Sequence, residues 1–402
     1  MSEAKKAKQE YILEAAKLYG LGKVEIDLLK SHLDGSMPNE FIERKTKFLF
    51  RLYDIYNSKN YNDKIDTDEN GIINLNDYAF EFSKRRLYRS KIGRTWVVSS
   101  NLEAFLITEK PGKSSDIKSK FLELSDMNNF LLPQIGKQMG LDTTVFYRGE
   151  YKRESGSIST FHLTKNFLKS GETLIQGNSI VNDNSDKRRV KFENLLEATD
   201  KYVKKYYKKN KLPDEELEKA REEIRRGLIK QTIFNKMVFN EYESNQKWGL
   251  IVGTDKKLKL APLYSYDYCA GVEMTKKGNH RVIDKKKEDI ESFMLKFGKE
   301  EWFKSWIRNF VIPLDYEKAV NDMERITSIT LSDDEKEYYK FLINKMHSKV
   351  AVVHNLNYDE KLVDEYKKEK LGNKLGKIKG SVSKRIVKVK RHFNQEDSDP
   401  RR

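Results

Sequence analysis

Cysteine and proline are scarce in this sequence, and long apolar runs are missing. Only one cysteine, Cys269, and 7 prolines occur among 402 residues. A single thiol excludes an internal disulfide and a cysteine-based zinc site, and the 6 histidines show no HExxH spacing. No stretch approaches the about 20 apolar residues of a membrane-spanning helix, and the first residues lack the apolar core of a signal peptide. We therefore expect a cytoplasmic protein without a membrane partner.

Charged and aromatic residues are abundant instead. Hydrophobic residues make up 38% of the chain, with 20 Phe and 21 Tyr, which predicts a folded core although 35% of residues are charged. The 78 Lys and Arg against 62 Asp and Glu give a net charge of +16. This excess of positive charge favours binding to nucleic acid, to an anionic surface or to an acidic partner. A Lys- and Asn-rich composition also follows from an AT-rich genome, so both explanations stay open.

The spacing of apolar residues divides the chain into helical and β-rich segments. Helical spacing extends to about residue 90, and strand patterns begin with the hairpin signal "RTWVVSSNLEAFLITEK". The helix "NNFLLPQIGKQMGL" and further strands follow, and helices then dominate around one hairpin, "WGLIVGTDKKLKLAPLY". We predict four parts: a helical N-terminal domain (1–90), a small β-rich lobe (91–195), a mostly helical lobe (196–370) and a basic flexible tail (371–402).

The stretch "DTDENGIINLND" resembles a calcium-binding loop. Asp66, Asp68 and Asn70 stand at loop positions 1, 3 and 5, and Gly71 permits the sharp turn at position 6. Asp77 stands at the last position, where a longer bidentate Glu is usual, and no second loop pairs with this one. The sequence leaves two interpretations: a calcium site formed by these oxygen-bearing residues, or a solvated turn.

The end of the chain carries a dense cluster of cations. The segment "LGNKLGKIKGSVSKRIVKVKRHF" is basic, punctuated by glycine and poor in apolar residues. Such a tail would neutralise phosphates without sequence preference, or it would only keep the protein soluble. The candidate nucleic-acid-binding residues are Lys384, Arg385, Lys388, Lys390 and Arg391.

A β-rich lobe followed by a helical lobe with one central hairpin is the order of a protein kinase, although the Gly-x-Gly-x-x-Gly, His-Arg-Asp and Asp-Phe-Gly motifs are missing. Four segments resemble the HipA-like serine/threonine kinases: "NNFLLPQIGKQMGLDTTVFYRGEY", "FHLTKNFLKSGETLIQGN", "LIKQTIFNKMVFNEYESNQKWGLIV" and "LKLAPLYSYDYCAG". The resemblance implies an α+β, bilobal, protein-kinase-like (HipA-like) fold with a helical N-terminal domain and a basic C-terminal tail. It also implies ATP and magnesium as cofactors.

The residues that would perform phosphoryl transfer match that family poorly. Its catalytic loop, approximately Asp-Arg-His-x-x-Asn-Trp-Gly, aligns with "YESNQKWG". Tyr242 therefore stands at the position of the catalytic Asp, Lys247 at that of a metal-binding Asn, and Ser265 at that of a metal-binding Asp. A tyrosine with an ordinary pKa near about 10 is a poor proton acceptor at neutral pH, and a lysine repels a divalent cation. The resemblance thus favours a pseudokinase that acts as a binding or scaffold protein.

An active serine/threonine kinase is the alternative if the loop is aligned in a shifted register. Glu241 or Glu243 would then act as the base, and Asp267 would bind magnesium. The other interpretation of both glutamates is a solvated loop face.

Lys110, at the end of "AFLITEK", is the candidate for the lysine that holds nucleotide phosphates. Asn128 or Asn129 stands at the helix position that would pair with it, where the family has Glu. The other interpretation of Lys110 is a surface residue. A third class of function is a nucleic-acid-binding or assembly protein, with the N-terminal 90 residues contacting an unknown protein partner.

Overall fold

The computed structural model has a mixed α+β fold, built from two small sheets and helices. It describes residues 3–18, 21–36, 49–50, 53–54, 72–75, 94–98, 104–109, 117–152, 155–169, 171–181, 192–240, 247–264, 266, 269–270, 290–327 and 329–374. Within these ranges no helix combines the length and the apolar character that crossing a membrane requires.

The first two helices form a small core of their own. Helix α1 (Glu3–Leu18) packs on α2 (Lys23–Leu33) through Ile12 and Leu29, both fully buried. The Glu25 carboxylate accepts a hydrogen bond from Gly22 N at 3.0 Å, which satisfies a free amide at the start of α2. The helical spacing predicted for this part of the sequence is confirmed here.

A five-stranded sheet follows, with the order β1-β4-β5-β3-β2. All neighbouring strands are antiparallel except β1 and β4, which are parallel. Its buried side chains include Phe105, Phe161 and Leu163. Helix α3 (Ile117–Gln138) connects β3 to β4. The strands are β1 (Ile72–Asn74), β2 (Arg94–Val98), β3 (Ala104–Glu109), β4 (Phe146–Lys152) and β5 (Ile158–Lys165).

Strand β1 departs from the sequence analysis, which assigned residues 1–90 to helices. Ile72 pairs with Arg148 and Asn74 with Glu150, so β1 belongs to the sheet of the predicted β-rich lobe. Ile73 is fully buried against that sheet. A three-residue strand has no periodicity of its own, because it forms only by pairing with a strand far along the chain.

A second sheet has three strands in the order β6-β7-β8. The hairpin predicted from "WGLIVGTDKKLKLAPLY" is confirmed as β7 and β8, but β6 pairs with β7 although the sequence analysis placed it in the β-rich lobe. Asp214 is a first-turn acid of α6, whose N-cap is Pro213. The elements are β6 (Thr173–Gln176), α4 (Gly177–Val181), α5 (Phe192–Asn210), α6 (Asp214–Met237), β7 (Gly249–Val252) and β8 (Leu258–Leu260).

The remaining helices surround the largest apolar core together with α3 and α6. Ser332 and Glu335 form a capping box at the start of α10. Helix α11 extends to Lys374, so the first residues of the predicted tail, 371–374, are helical. The elements are α7 (Ile290–Phe297), α8 (Glu301–Trp306), a π-helical turn (Ile307–Val311), α9 (Tyr316–Thr327), α10 (Asp333–Asn355) and α11 (Glu360–Lys374).

An ion pair, called the clamp below, joins helix α6 to the residue that precedes α8. Two nitrogens of Arg225 donate to the two carboxylate oxygens of Glu300, at 2.8 and 2.6 Å. These hydrogen bonds lower the pKa of Glu300 below its ordinary value. Arg226 also lies over the ring of Trp302, 5.2 Å from its centroid. The clamp fixes the direction in which α6 leads into the candidate site.

Candidate functional site

The end of α6 and the segment 261–270 lie side by side. Ala270 N donates to Val238 O at 2.7 Å, and the buried Gln231 side chain donates to Ala261 O at 2.9 Å. After α6 the chain turns at Phe239, which has a φ of 50°, and Asn240 N donates back to Asn235 O at 2.8 Å. The two stretches that the sequence analysis singled out, 241–247 and 265–267, are each attached to this paired framework.

The carbonyl oxygen of Leu263 connects this framework to the start of β4. It accepts hydrogen bonds from Thr144 N at 2.9 Å, from Thr144 Oγ1 at 3.1 Å and from the Tyr266 hydroxyl at 3.0 Å. Leu263 N donates in turn to Asp142 O at 2.9 Å. Three donors on one buried carbonyl fix the backbone on the N-terminal side of position 265.

Aromatic side chains pack around the same segment. Tyr266 is fully buried, and its ring meets the edges or faces of Phe146 and Phe234 in T-shaped contacts. Burial raises the pKa of the Tyr266 phenol well above its ordinary value, so this hydroxyl stays protonated and donates to Leu263 O. Tyr264 stacks on Phe167, in the connection between β5 and β6, with ring centroids 5.4 Å apart.

Asn128 holds the C-terminal side of the segment from within the core. The side chain is fully buried: Nδ2 donates to Cys269 O at 2.9 Å, and Oδ1 accepts from the Tyr339 hydroxyl at 2.9 Å. Tyr338 adds a hydrogen bond to Ala270 O at 2.7 Å. Asn128 is therefore used by α10 and residue 269, and its proposed pairing with Lys110 stays a prediction, because Lys110 lies outside the described residues. Asn129 is half-buried, and its proposed pairing stays a prediction.

Trp248 and Gly249 anchor the other end of the loop to the three-stranded sheet. Trp248 is 9% exposed and packs with Val203 and Leu250, and its carbonyl accepts from Gly177 N at 2.9 Å. Gly249 lies so close to β6 that a Cβ atom there would stand 2.5 Å from Ile175 O. The Trp-Gly pair therefore has a structural reason: an indole fills the core, and a residue without a side chain lets two strands approach.

Lys247 is the one proposed catalytic-loop replacement within the described residues. It is half-buried, and its Nζ atom is shielded from solvent. A cation at this point supplies none of the oxygen ligands that magnesium prefers. Lys247 itself therefore offers no ligand to a divalent cation at the position where the family resemblance implies one. No group of three or more His, Cys, Asp or Glu with metal-binding geometry occurs among the described residues.

The other residues singled out from the sequence lie outside the described ranges, and their roles stay predictions. They comprise the loop positions Glu241, Tyr242 and Glu243, the segment positions Ser265 and Asp267, the lysine Lys110, the calcium-loop candidates Asp66, Asp68, Asn70 and Asp77, and the tail cations Lys384, Arg385, Lys388, Lys390 and Arg391. Sequence reasoning did not find Thr144, Tyr266 and Tyr339, because a buried hydrogen-bonding side chain has no local signature.

Comparisons with known proteins find similarity to solved structures. No protein-family model matches the chain, and no curated protein matches it. The crystal structure of a Helicobacter pylori proinflammatory kinase, CtkA, is similar at 13% identity with a TM-score of 0.45, covering 71% of this chain and 98% of that one. The Shewanella oneidensis MR-1 toxin–antitoxin complex of HipA, HipB and operator DNA is similar at 11% identity with a TM-score of 0.38, covering 67% of this chain and 65% of that one.

Proposed function

We propose that this chain is a HipA-like pseudokinase: a bilobal, kinase-like protein whose catalysis has been lost and whose cleft serves for binding or as a scaffold. The observation that carries the proposal is a contrast between the buried residues that hold the loop and segment in place and the residues that would perform phosphoryl transfer. Trp248, Gly249, Leu263 and Tyr266 are held by buried contacts, while Lys247 stands where the family resemblance implies a metal-binding Asn. A frame that is kept while its chemical groups are replaced favours binding over catalysis.

The expected nucleotide binding of this chain follows from the chemistry of phosphoryl transfer. The protein's main task in that reaction is to orient a hydroxyl and to hold the cations that bridge the phosphates. Tyr242 and Ser265, together with Lys247, remove a proton acceptor and two metal ligands from the sequence positions that resemble the family's. The chain would therefore bind a nucleotide weakly or without magnesium. The cytoplasmic location, the calcium loop and the tail's nucleic-acid binding stay predictions beside this one.

Magnesium dependence of ATP binding tests the proposal. In calorimetry on the purified full-length chain, we expect magnesium to leave the ATP affinity unchanged or to weaken it, because Lys247 stands in place of a metal ligand. The variant Lys247→Asn with Ser265→Asp should regain magnesium-strengthened binding, by about tenfold or more if the restored ligands supply 1.4 kcal/mol. Lys318→Asn, exposed on α9, removes the same charge elsewhere and serves as the control. A tenfold gain from magnesium in the unaltered chain would contradict the proposal.

A further inference from the structure

The second half of α5 presents lysines to solvent. Lys201, Lys204, Lys205, Lys208 and Lys209 are all exposed, whereas the residues between them include the buried core side chains at positions 203 and 207. Residues four apart on a helix lie about 6 Å apart along its axis on the same face. The exposed face of this half-helix is therefore a continuous strip of ammonium groups.

Part of this strip is not neutralised by the chain itself. Lys201 pairs with Glu197 at 2.6 Å and Lys204 with Asp200 at 2.8 Å. Lys205, Lys208 and Lys209 form no ion pair with any residue that the structure describes. The helix dipole favours cations in the last turn, which explains Lys208 and Lys209 but not Lys205, a turn earlier.

Two tyrosines border the strip. Tyr202 and Tyr206 are half-buried and stacked on each other, with ring centroids 6.4 Å apart and planes 23° from parallel. Leu258 N donates to the Tyr207 hydroxyl, which brings the turn between β7 and β8 against this part of α5. Stacked phenol rings beside unpaired ammonium groups make up the α5 basic face, defined here as Tyr202, Lys205, Tyr206, Lys208 and Lys209.

We propose that the α5 basic face binds single-stranded nucleic acid. Lysines would neutralise successive phosphates, and the tyrosine pair would offer rings on which unpaired bases stack. Duplex DNA fits this face less well, because its bases are already stacked and unavailable to the tyrosines. An anionic membrane also fits less well: helices that lie on bilayers insert an apolar face, and the apolar side of α5 is already buried against Ile224 and Leu228 in the protein core.

The test measures binding of a fluorescent oligothymidylate of about 20 nucleotides, long enough for one such site. The triple variant Lys205→Gln, Lys208→Gln, Lys209→Gln is compared with Lys219→Gln, Lys299→Gln, Lys318→Gln, which removes three exposed lysines elsewhere: one each from α6 and α9 and one from the turn between α7 and α8. Both variants retain the full chain, so any contribution of the C-terminal tail is common to them. Far-UV circular dichroism and thermal unfolding check that each variant is folded.

For the α5 variant we expect affinity to fall by about 10- to 100-fold at about 0.1 M salt, and the slope of log affinity against log salt to shrink by about 2. The control variant should change far less. Tyr206→Leu keeps the apolar packing but removes a stacking ring, and it should weaken single-strand binding by about fivefold or more while leaving duplex binding unchanged.

Four results would overturn the proposal. The first is equal loss of affinity in the α5 variant and in the control, and the second is no binding by the unaltered chain. The third is an α5-dependent duplex affinity as high as that for the single strand, without any effect of Tyr206→Leu. The fourth is a preference for vesicles of phosphatidylserine and phosphatidylcholine over the oligonucleotide, with the same dependence on the α5 lysines.

Discussion

Replacing Asn128 with leucine is expected to lower the free energy of unfolding by about 2 to 6 kcal/mol, since two buried polar groups each lose a hydrogen bond at a cost of about 1 to 3 kcal/mol. Cys269 O loses the donor Nδ2, and the Tyr339 hydroxyl loses the acceptor Oδ1, at a site with no solvent exposure. Leucine has a similar volume, so the loss measures the hydrogen bonds more than a cavity. Chemical denaturation of the purified variant gives the value.

Tyr339→Phe is the matched partner for this measurement. It removes only the hydroxyl that donates to Asn128, and we expect about 1 to 3 kcal/mol of destabilisation. The double variant should cost less than the sum of the two single ones, because Asn128→Leu already removes the hydrogen bond that this hydroxyl donates. Additive losses, or a loss below about 0.5 kcal/mol for Asn128→Leu, would contradict a buried hydrogen-bonded role for this amide.

Gly249→Ala is expected to destabilise the fold by about 1 to 3 kcal/mol, the usual cost of forcing an extra group into a packed site. The added Cβ would stand 2.5 Å from Ile175 O, a backbone atom that moves only if β6 moves. The hydrogen bonds between β6 and β7, next to Trp248, would be strained by that movement. Thermal and denaturant unfolding of the variant provide the measurement.

Gly227→Ala is the control, because its Cβ meets an atom at the same distance but of another kind. That atom is Leu260 Cδ2, at 2.5 Å, the tip of a flexible side chain that rotates away. Gly227 lies inside α6, where alanine is favoured over glycine by about 1 kcal/mol. We expect Gly227→Ala to be near neutral or stabilising. Equal destabilisation by the two substitutions would show that close backbone approach is not the reason for Gly249.

Elements with strong local patterns could be predicted from the sequence. The two hairpins, β2 with β3 and β7 with β8, are formed by β-branched and apolar runs around polar turns. Helices α5 and α6 follow the three-and-four spacing of their apolar residues. In each case the pattern lies within the element itself, so the sequence of that element is enough to predict it.

Contacts between distant parts of the chain could not be predicted in this way. Strand β1 depends on β4, and β6 depends on β7, and neither dependence leaves a local pattern. Asn128 is the clearest case, because its hydrogen-bond partner Tyr339 lies 211 residues further along. The hydrogen bonds of Asn128 to residue 269 and to Tyr339 had no signal in the sequence around it.

Transfer of the γ-phosphate of labelled ATP tests the loss of catalysis most directly. The full-length chain, incubated with magnesium and ATP, is assayed for labelling of itself and of a generic serine/threonine substrate, beside the variant Asp267→Ala. We predict no labelling above that of Asp267→Ala, because the proposed alignment replaces the proton acceptor and the metal ligands of the transfer reaction. Magnesium-dependent labelling that disappears in Asp267→Ala would contradict the account and would establish an active kinase that uses Glu241 or Glu243 with Asp267.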